Sequence, residues 1–239
     1  MNTAASDASE RKPGVADRII GMFNIFLDPA GAAKNIRLSW SWVAPLVLSG
    51  IVIGVCGYLL IPTTLRIMQM NPPPNMTAEQ FEKARPIIET GQKVSALASP
   101  VIIGVFTALF AGILTAVCAV LDIRSQFRDH FSLLAHTGLI GALGYLCGFL
   151  VIRLRGDAVQ SLLELRPGFG LDLLLGEQAN KFVYGLLNFF SLFQLWNIVM
   201  LGLTFAFLSN VSKGRAFAAT APVWLLGLVF ALIGVMFQR

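Results

Sequence analysis

The sequence predicts an all-α protein: a polytopic helical membrane bundle with five transmembrane helices and an N-terminal amphipathic interfacial helix. Three observations predict it. Of the 239 residues, 56% are apolar and 13% are charged, whereas soluble domains average about 45–50% and about 25%. So much apolar residue cannot be hidden in a water-soluble core of this size. Five segments each supply the roughly 20 apolar residues that a helix needs to cross the hydrocarbon, with no charge inside them. Barrel strands would be shorter and would alternate in polarity, so helices are favoured.

The spans run from about Trp42 to Ile61, Leu97 to Leu121, Phe131 to Ile152, Phe189 to Leu208 and Phe217 to Phe237. Short connections, Asp122 to His130 and Asn210 to Ala216, make the second and third spans one hairpin and the fourth and fifth another. Ahead of the spans, residues 1–14 form a polar segment expected to be disordered. No apolar core followed by a small-residue cleavage site appears early, so the first span is the expected targeting signal. Residues 15–37 form the amphipathic interfacial segment, and residues 38–239 the five-span membrane domain.

Within the interfacial segment, Val15, Ile19, Met22, Phe23 and Phe26 recur at helical spacing. Such a helix can lie in the headgroup plane or pack on the bundle. Asp28 and Pro29 have the chemistry of a helix cap and a first-turn residue. The short helix that follows would carry Lys34 and Arg37 towards anionic lipid. Phe23, Phe26, Lys34 and Arg37 are therefore the candidate interfacial anchor.

Between the first two spans, residues 71–75 (Asn-Pro-Pro-Pro-Asn) read as a stiff linker. Thr77 and Gln80 then form a capping box for a polar, solvated helix, which Pro86 is expected to kink or end. Residues 153–181 are a long loop with apolar pieces at 162–165 and 171–175 and a turn at 166–170. An interfacial hairpin is the expected form, with a lid over a cavity as the alternative.

Charge limits the partners. The net charge is +5, but no basic run exceeds two residues, so nucleic acid is not expected as a partner. With five spans, the 18 Lys and Arg residues divide nine to nine between the two sides. Lys213 and Arg215 in the last short loop, with Lys34 and Arg37 before the first span, place the N-terminus in the cytoplasm and the C-terminus on the opposite side.

The search for chemistry finds little. No glycine-rich phosphate loop is present. Cys56, Cys118 and Cys147 each lie in an apolar run and read as packing residues. His130 and His136 fall on nearly opposite sides of a helix, and no Asp or Glu joins them inside the spans, so no metal or other cofactor is expected. His136 should hydrogen-bond a neighbouring helix. A membrane protease or acyltransferase would need a Ser/His, Ser/Lys or Asp/Asp set at membrane depth; no span contains Asp, Glu, Lys or Arg, and no enzymatic activity is expected. Gly50/Gly54 and Gly144/Gly148 are Gly-x-x-x-Gly pairs that let helices approach closely. Asn188, Ser191, Gln194 and Asn197 repeat every three residues on the fourth span. They are the candidate polar seam, serving either interhelical hydrogen bonds or a headgroup or partner helix.

The stretch from Met22 to Pro29 (Met-Phe-Asn-Ile-Phe-Leu-Asp-Pro), then Lys34 to Arg37, then Trp40-Ser-Trp-Val-Ala-Pro-Leu46, resembles the entry to a Ypt-interacting-protein (Yip) domain. Phe193-Gln-Leu-Trp196, followed by Lys213-Gly-Arg-Ala216 between two spans, is similar to that family's closing hairpin. The resemblance covers about Ile19 to Val235. It implies a compact, prokaryotic-type integral membrane protein of the bacterial inner membrane, without a catalytic set. Eukaryotic members bind Rab GTPases and carry a long cytoplasmic N-terminal region; the short segment here sets the resemblance against a Rab-type partner. The expected function is membrane organisation or adaptor binding within the bilayer, with membrane lipids and another membrane protein or itself as partners. The alternative is a lipid or small-molecule transporter with a polar cleft along the fourth span.

Overall fold

The computed structural model describes residues 14–72, 76–165, 169–170 and 180–236. Residues 1–13, most of the proline-rich linker (73–75), part of the 166–170 turn and the apolar piece at 171–175 lie outside the described residues.

Nine α-helices are present among the described residues: α1 (Val15–Met22), α2 (Pro29–Ile36), α3 (Val43–Met70), α4 (Ala78–Leu97), α5 (Ser99–Val120), α6 (Phe127–Arg155), α7 (Lys181–Phe189), α8 (Leu192–Ser209) and α9 (Lys213–Met236). Five of them, α3, α5, α6, α8 and α9, are long and apolar enough to cross a membrane. All five expected spans are therefore helices. Helix α6 is central and packs on α3, α5 and α8, while α9 closes against α8 and α5. The main core draws Ile36 from α2, Leu114 and Cys118 from α5, Leu133 from α6, Phe205 from α8 and Ala219 from α9. Outward faces stay apolar: Val101, Val105 and Leu109 recur every four residues on α5 and are exposed, which is what a lipid-facing stripe requires.

Between the first two spans, two element boundaries differ from the sequence reading. Helix α3 runs on to Met70 with Pro62 inside it, well past the expected end at Ile61. Its extension is covered by α4: Phe81 is buried against Ile61 and Leu65. The Thr77/Gln80 capping box forms, with the Thr77 hydroxyl accepting from Gln80 N–H at 3.2 Å and the Gln80 amide accepting from Thr77 N–H at 2.8 Å. Helix α4 does not end at Pro86 but continues to Leu97. Proline frees the carbonyl four residues back; Glu82 and Pro86 are both exposed, so water can satisfy it.

The segment before α3 has an unexpected shape. Helix α1 passes through a 3-10 turn, Phe23–Phe26, and α2 returns. Arg18, near one end, donates to Ser39 O. At the other, Trp196 Nε1 donates to Phe26 O at 3.0 Å, and the two rings meet edge to face at 5.6 Å. The chain then climbs along α8 until Arg37 donates to Leu208 O at 2.7 Å. Trp196 and Leu208 are separated by twelve residues of one helix, or about 18 Å of rise. The segment is thus a helical hairpin that dips alongside α6 and α8.

Arginines close both ends of the bundle on helix C-termini. Arg37 donates to the last turn of α8, Arg128 to the C-cap carbonyl of α2 (Arg37 O, 3.2 Å), and Arg215 to the C-cap carbonyl of α5 (Leu121 O). At the opposite end, Arg66 donates to Gly156 O and Val159 O and pairs with Asp157. The last carbonyls of a helix lack partners within it and carry the negative end of its dipole, so a guanidinium satisfies both.

Candidate functional site

The four residues of the candidate seam do not share one helix. Asn188 belongs to α7. Ser191 is the N-cap of α8, its hydroxyl accepting from Gln194 N–H at 3.3 Å. The fourth span therefore begins at Leu192, not at Phe189. The chain breaks at Phe190, where Ser191 also pairs with Gly170 in an isolated antiparallel bridge and Leu192 N–H donates to Phe169 O at 3.0 Å. Ser191-x-x-Gln194 carries the N-cap and N3 residue types of the pattern that marks Thr77 and Gln80. That signal was available in the sequence.

Asn197 fastens α8 to α6: its amide donates to Thr137 O at 2.8 Å. Asn188, Ser191 and Gln194 instead line a cavity of about 220 Å³ with Gly144, Tyr145 and Phe193. A second cavity, of about 280 Å³, shares Gly144, Tyr145 and Asn188 and reaches Leu60 and Ile152. A third, of about 690 Å³, lies on the other side of Tyr145 between α3 and α4, with Thr64, Gln92 and Ser95 on its wall. Tyr145 touches all three.

Both histidines are buried, and each bridges helices. His136 Nδ1–H donates to Ser132 O at 2.7 Å, which leaves Nε2 to accept from the Asn35 amide at 3.2 Å. The expected interhelical bond of His136 is thus to α2. His130 Nδ1 lies 2.8 Å from the Thr115 hydroxyl, whose proton is already given to Ala111 O at 2.7 Å. The ring therefore donates there, and Nε2 faces Cys118 Sγ at 3.8 Å. Ser132 and Ser41 continue the network, with hydroxyls 2.7 Å apart and Ser41 donating to Ile36 O. Ionisable and polar side chains at this depth are costly unless paired; here His130 ties α6 to α5, while His136 and Ser132 hold the N-terminal segment to the bundle.

Three of the candidate glycines occupy close approaches. A Cβ on Gly50 would lie 2.6 Å from Pro100 Cα, and one on Gly54 would lie 2.6 Å from Ala96 O. On α6, a Cβ on Gly144 would meet the Phe193 ring at 2.8 Å, while Gly148 lines the 280 Å³ cavity. The candidate anchor divides. Phe26 and Arg37 are engaged with α8, whereas Phe23 and Lys34 are exposed. Of the expected apolar stripe, Met22 is buried and Ile19 is exposed, while Ile25, which the stripe omits, is fully buried. The 3-10 turn has three residues per turn and shifts the helical phase, so a single 3.6-residue period could not locate Ile25.

A family model described as the Yip1 domain matches residues 23–234. No curated protein and no solved structure matches the chain with significance. The matched region runs from the hairpin's 3-10 turn to the last turn of α9 and so takes in all five apolar helices. The chain belongs to the Yip1 domain family.

Proposed function

We propose that the protein is a non-enzymatic membrane organiser whose N-terminal hairpin acts as a wedge in one leaflet. One observation carries this reading. The hairpin has two faces: Ile25, Ala32 and Ile36 are buried in the bundle, whereas Ile20 and Leu27 are 67% and 87% exposed, with Ile19 and Phe23 beside them. An apolar face presented to one leaflet expands that leaflet, and such segments respond to curvature and lipid composition. The partners on this reading are membrane lipids, and another membrane protein or a second copy through the outward helix faces. The location is the bacterial inner membrane, with the N-terminus cytoplasmic and the C-terminus opposite. Arg37, Arg128, Lys213 and Arg215 gather at the end where the hairpin enters, which supports this orientation.

A second reading, transport of a lipid or small molecule, is favoured by the cavities around Tyr145, Asn188 and Gln194. One experiment separates the two. The protein is reconstituted into vesicles that carry a fluorescent lipid in one leaflet, and both vesicle shape and lipid transfer are followed. The wedge predicts narrowing or tubulation with the wild type, lost when Phe23→Ser and Leu27→Ser are combined. Vesicles that keep their shape with the wild type would remove the wedge. Lipid transfer abolished by Gln194→Leu would support the second reading instead.

A further inference from the structure

The end of the bundle that the hairpin enters holds an open cavity of about 660 Å³ between α2, the α5–α6 turn and the first turn of α6. Arg37, Arg124 and Arg128 line it, with Ser125 and Gln126; Asp129 is the acidic group on its wall. Three guanidinium groups against one carboxylate give the cavity a formal charge of +2. The arginines come from two separate stretches of chain, and two of them are held in place. Arg37 is tethered to Leu208 O and Arg128 to Arg37 O, contacts that engage one nitrogen of each guanidinium and leave its other donors available. Among the described residues, none of the three arginines forms an ion pair, and Arg124 forms no hydrogen bond.

The positive-inside rule accounts for basic residues at this end of the bundle, but not for their convergence on one cavity. Arg128 is held there by its bond to Arg37 O, with Asp129 beside it in the same turn. Arg128 stands in the first turn of α6, whose N-cap Gln126 supplies no side-chain hydrogen bond. A cation at a helix N-terminus opposes the dipole. An anion seated between Arg128 and the helix start would reverse that penalty. Forked guanidinium donors match phosphate oxygens, and basic pockets between membrane helices suit acidic headgroups.

We propose that this cavity binds a phosphate group, carried by an acidic phospholipid headgroup or free as an inorganic anion. The site goes beyond the wedge and does not require it, because the exposed face of the hairpin contributes no residue to the cavity.

The test uses the purified full chain in a neutral detergent. Its thermal unfolding midpoint is followed while phosphatidylglycerol, phosphatidylcholine or sodium phosphate is added. Phosphatidylglycerol is expected to raise the midpoint saturably and phosphatidylcholine is not. Arg124→Gln removes a lining charge without breaking a hydrogen bond, and should weaken the apparent affinity about fivefold, at roughly 1 kcal/mol per basic residue. Arg124→Lys should recover most of that loss. Lys213→Gln neutralises a charge at the same end but outside the cavity, and should leave the titration unchanged. Stabilisation by phosphatidylglycerol alone identifies a lipid as the source of the phosphate. Equal, arginine-dependent stabilisation by sodium phosphate identifies a free anion, and either result upholds the site. Identical titrations for the wild type and Arg124→Gln overturn it. So does an equal loss in Lys213→Gln, since the effect would then be general attraction to the surface.

Discussion

At the end of the bundle where α5 turns into α6 and α8 into α9, connections are short and arginines close the backbone. Arg37, Arg128 and Arg215 each donate to a carbonyl at the C-terminus of another helix. At the opposite end, around Tyr145, connections are long and gaps of about 690, 280 and 220 Å³ remain between the helices. Arg66 still caps the residues that follow α6 there, so the contrast is one of packing, not of capping chemistry. The lesson is that one bundle can hold a half whose open space of about 660 Å³ lies among the arginines at its rim and a half whose gaps lie between the helices themselves.

Within the loosely filled half, glycines three residues apart on α3 test how sharply packing changes from one side of a helix to the other. Gly54 lies against the junction of α4 and α5, where a Cβ would lie 2.5 Å from Ser99 Oγ and 2.6 Å from Ala96 O. Gly57 lines the cavity of about 690 Å³, where a Cβ would meet Tyr145 Oη at an ordinary 3.6 Å. Gly54→Ala should destabilise by about 1–3 kcal/mol, since backbone must move. Gly57→Ala should be neutral or stabilise by about 0.5–1 kcal/mol through helix propensity. Thermal unfolding in detergent measures both, and equal losses would break the distinction between the two sides of α3.

A smaller effect sharpens the account of the half that the hairpin enters. Asn35→Leu leaves His136 Nε2 without its donor and loosens the hairpin. The loss should be about 1 kcal/mol, and a double-mutant cycle with His136→Leu should show coupling of similar size. Additive losses would mean that the Asn35–His136 contact does not hold the hairpin in place.

Much of this architecture was legible in the chain. Uncharged runs of membrane length gave the five spans, because hydrocarbon leaves little alternative to a helix. Asp28 accepts from Gly31 N–H at 3.0 Å and Thr77 caps α4, since local capping chemistry depends on neighbours in sequence. The break before α8 was also written locally, in Ser191 and Gln194, but a spacing of three across one continuous apolar run concealed it. The depth of the hairpin was not legible. It depends on Trp196 meeting Phe26 and His136 meeting Asn35, and such contacts between distant residues leave no periodic trace. The convergence of Arg37 with Arg124 and Arg128 was hidden for the same reason: counting basic residues by side gives nine against nine and says nothing of where they meet.

The smallest expected effect lies on α4, outside the spans and on the loosely filled side. Glu89 and Lys93 are one helical turn apart, with Oε1 and Nζ separated by 2.7 Å. The hydrogen bond and charge of Lys93 hold the Glu89 carboxyl below its ordinary value of 4.5. In return, Glu89 holds the Lys93 ammonium above 10.5. A depressed carboxyl contributes stability above its unfolded value and loses it as pH falls through the folded one. A raised ammonium contributes below its unfolded value and loses it as pH rises through the folded one. The pair should therefore act evenly across neutral pH and fade on both flanks, weakly, because both groups are solvated and screened. Glu89→Gln should flatten the acid limb of the unfolding midpoint only slightly, and added salt should flatten it equally in the wild type. A strong flattening of the acid limb in Glu89→Gln would mean that this pair within α4 contributes more to stability than its solvation allows, beside the burial of Phe81 against Ile61 and Leu65.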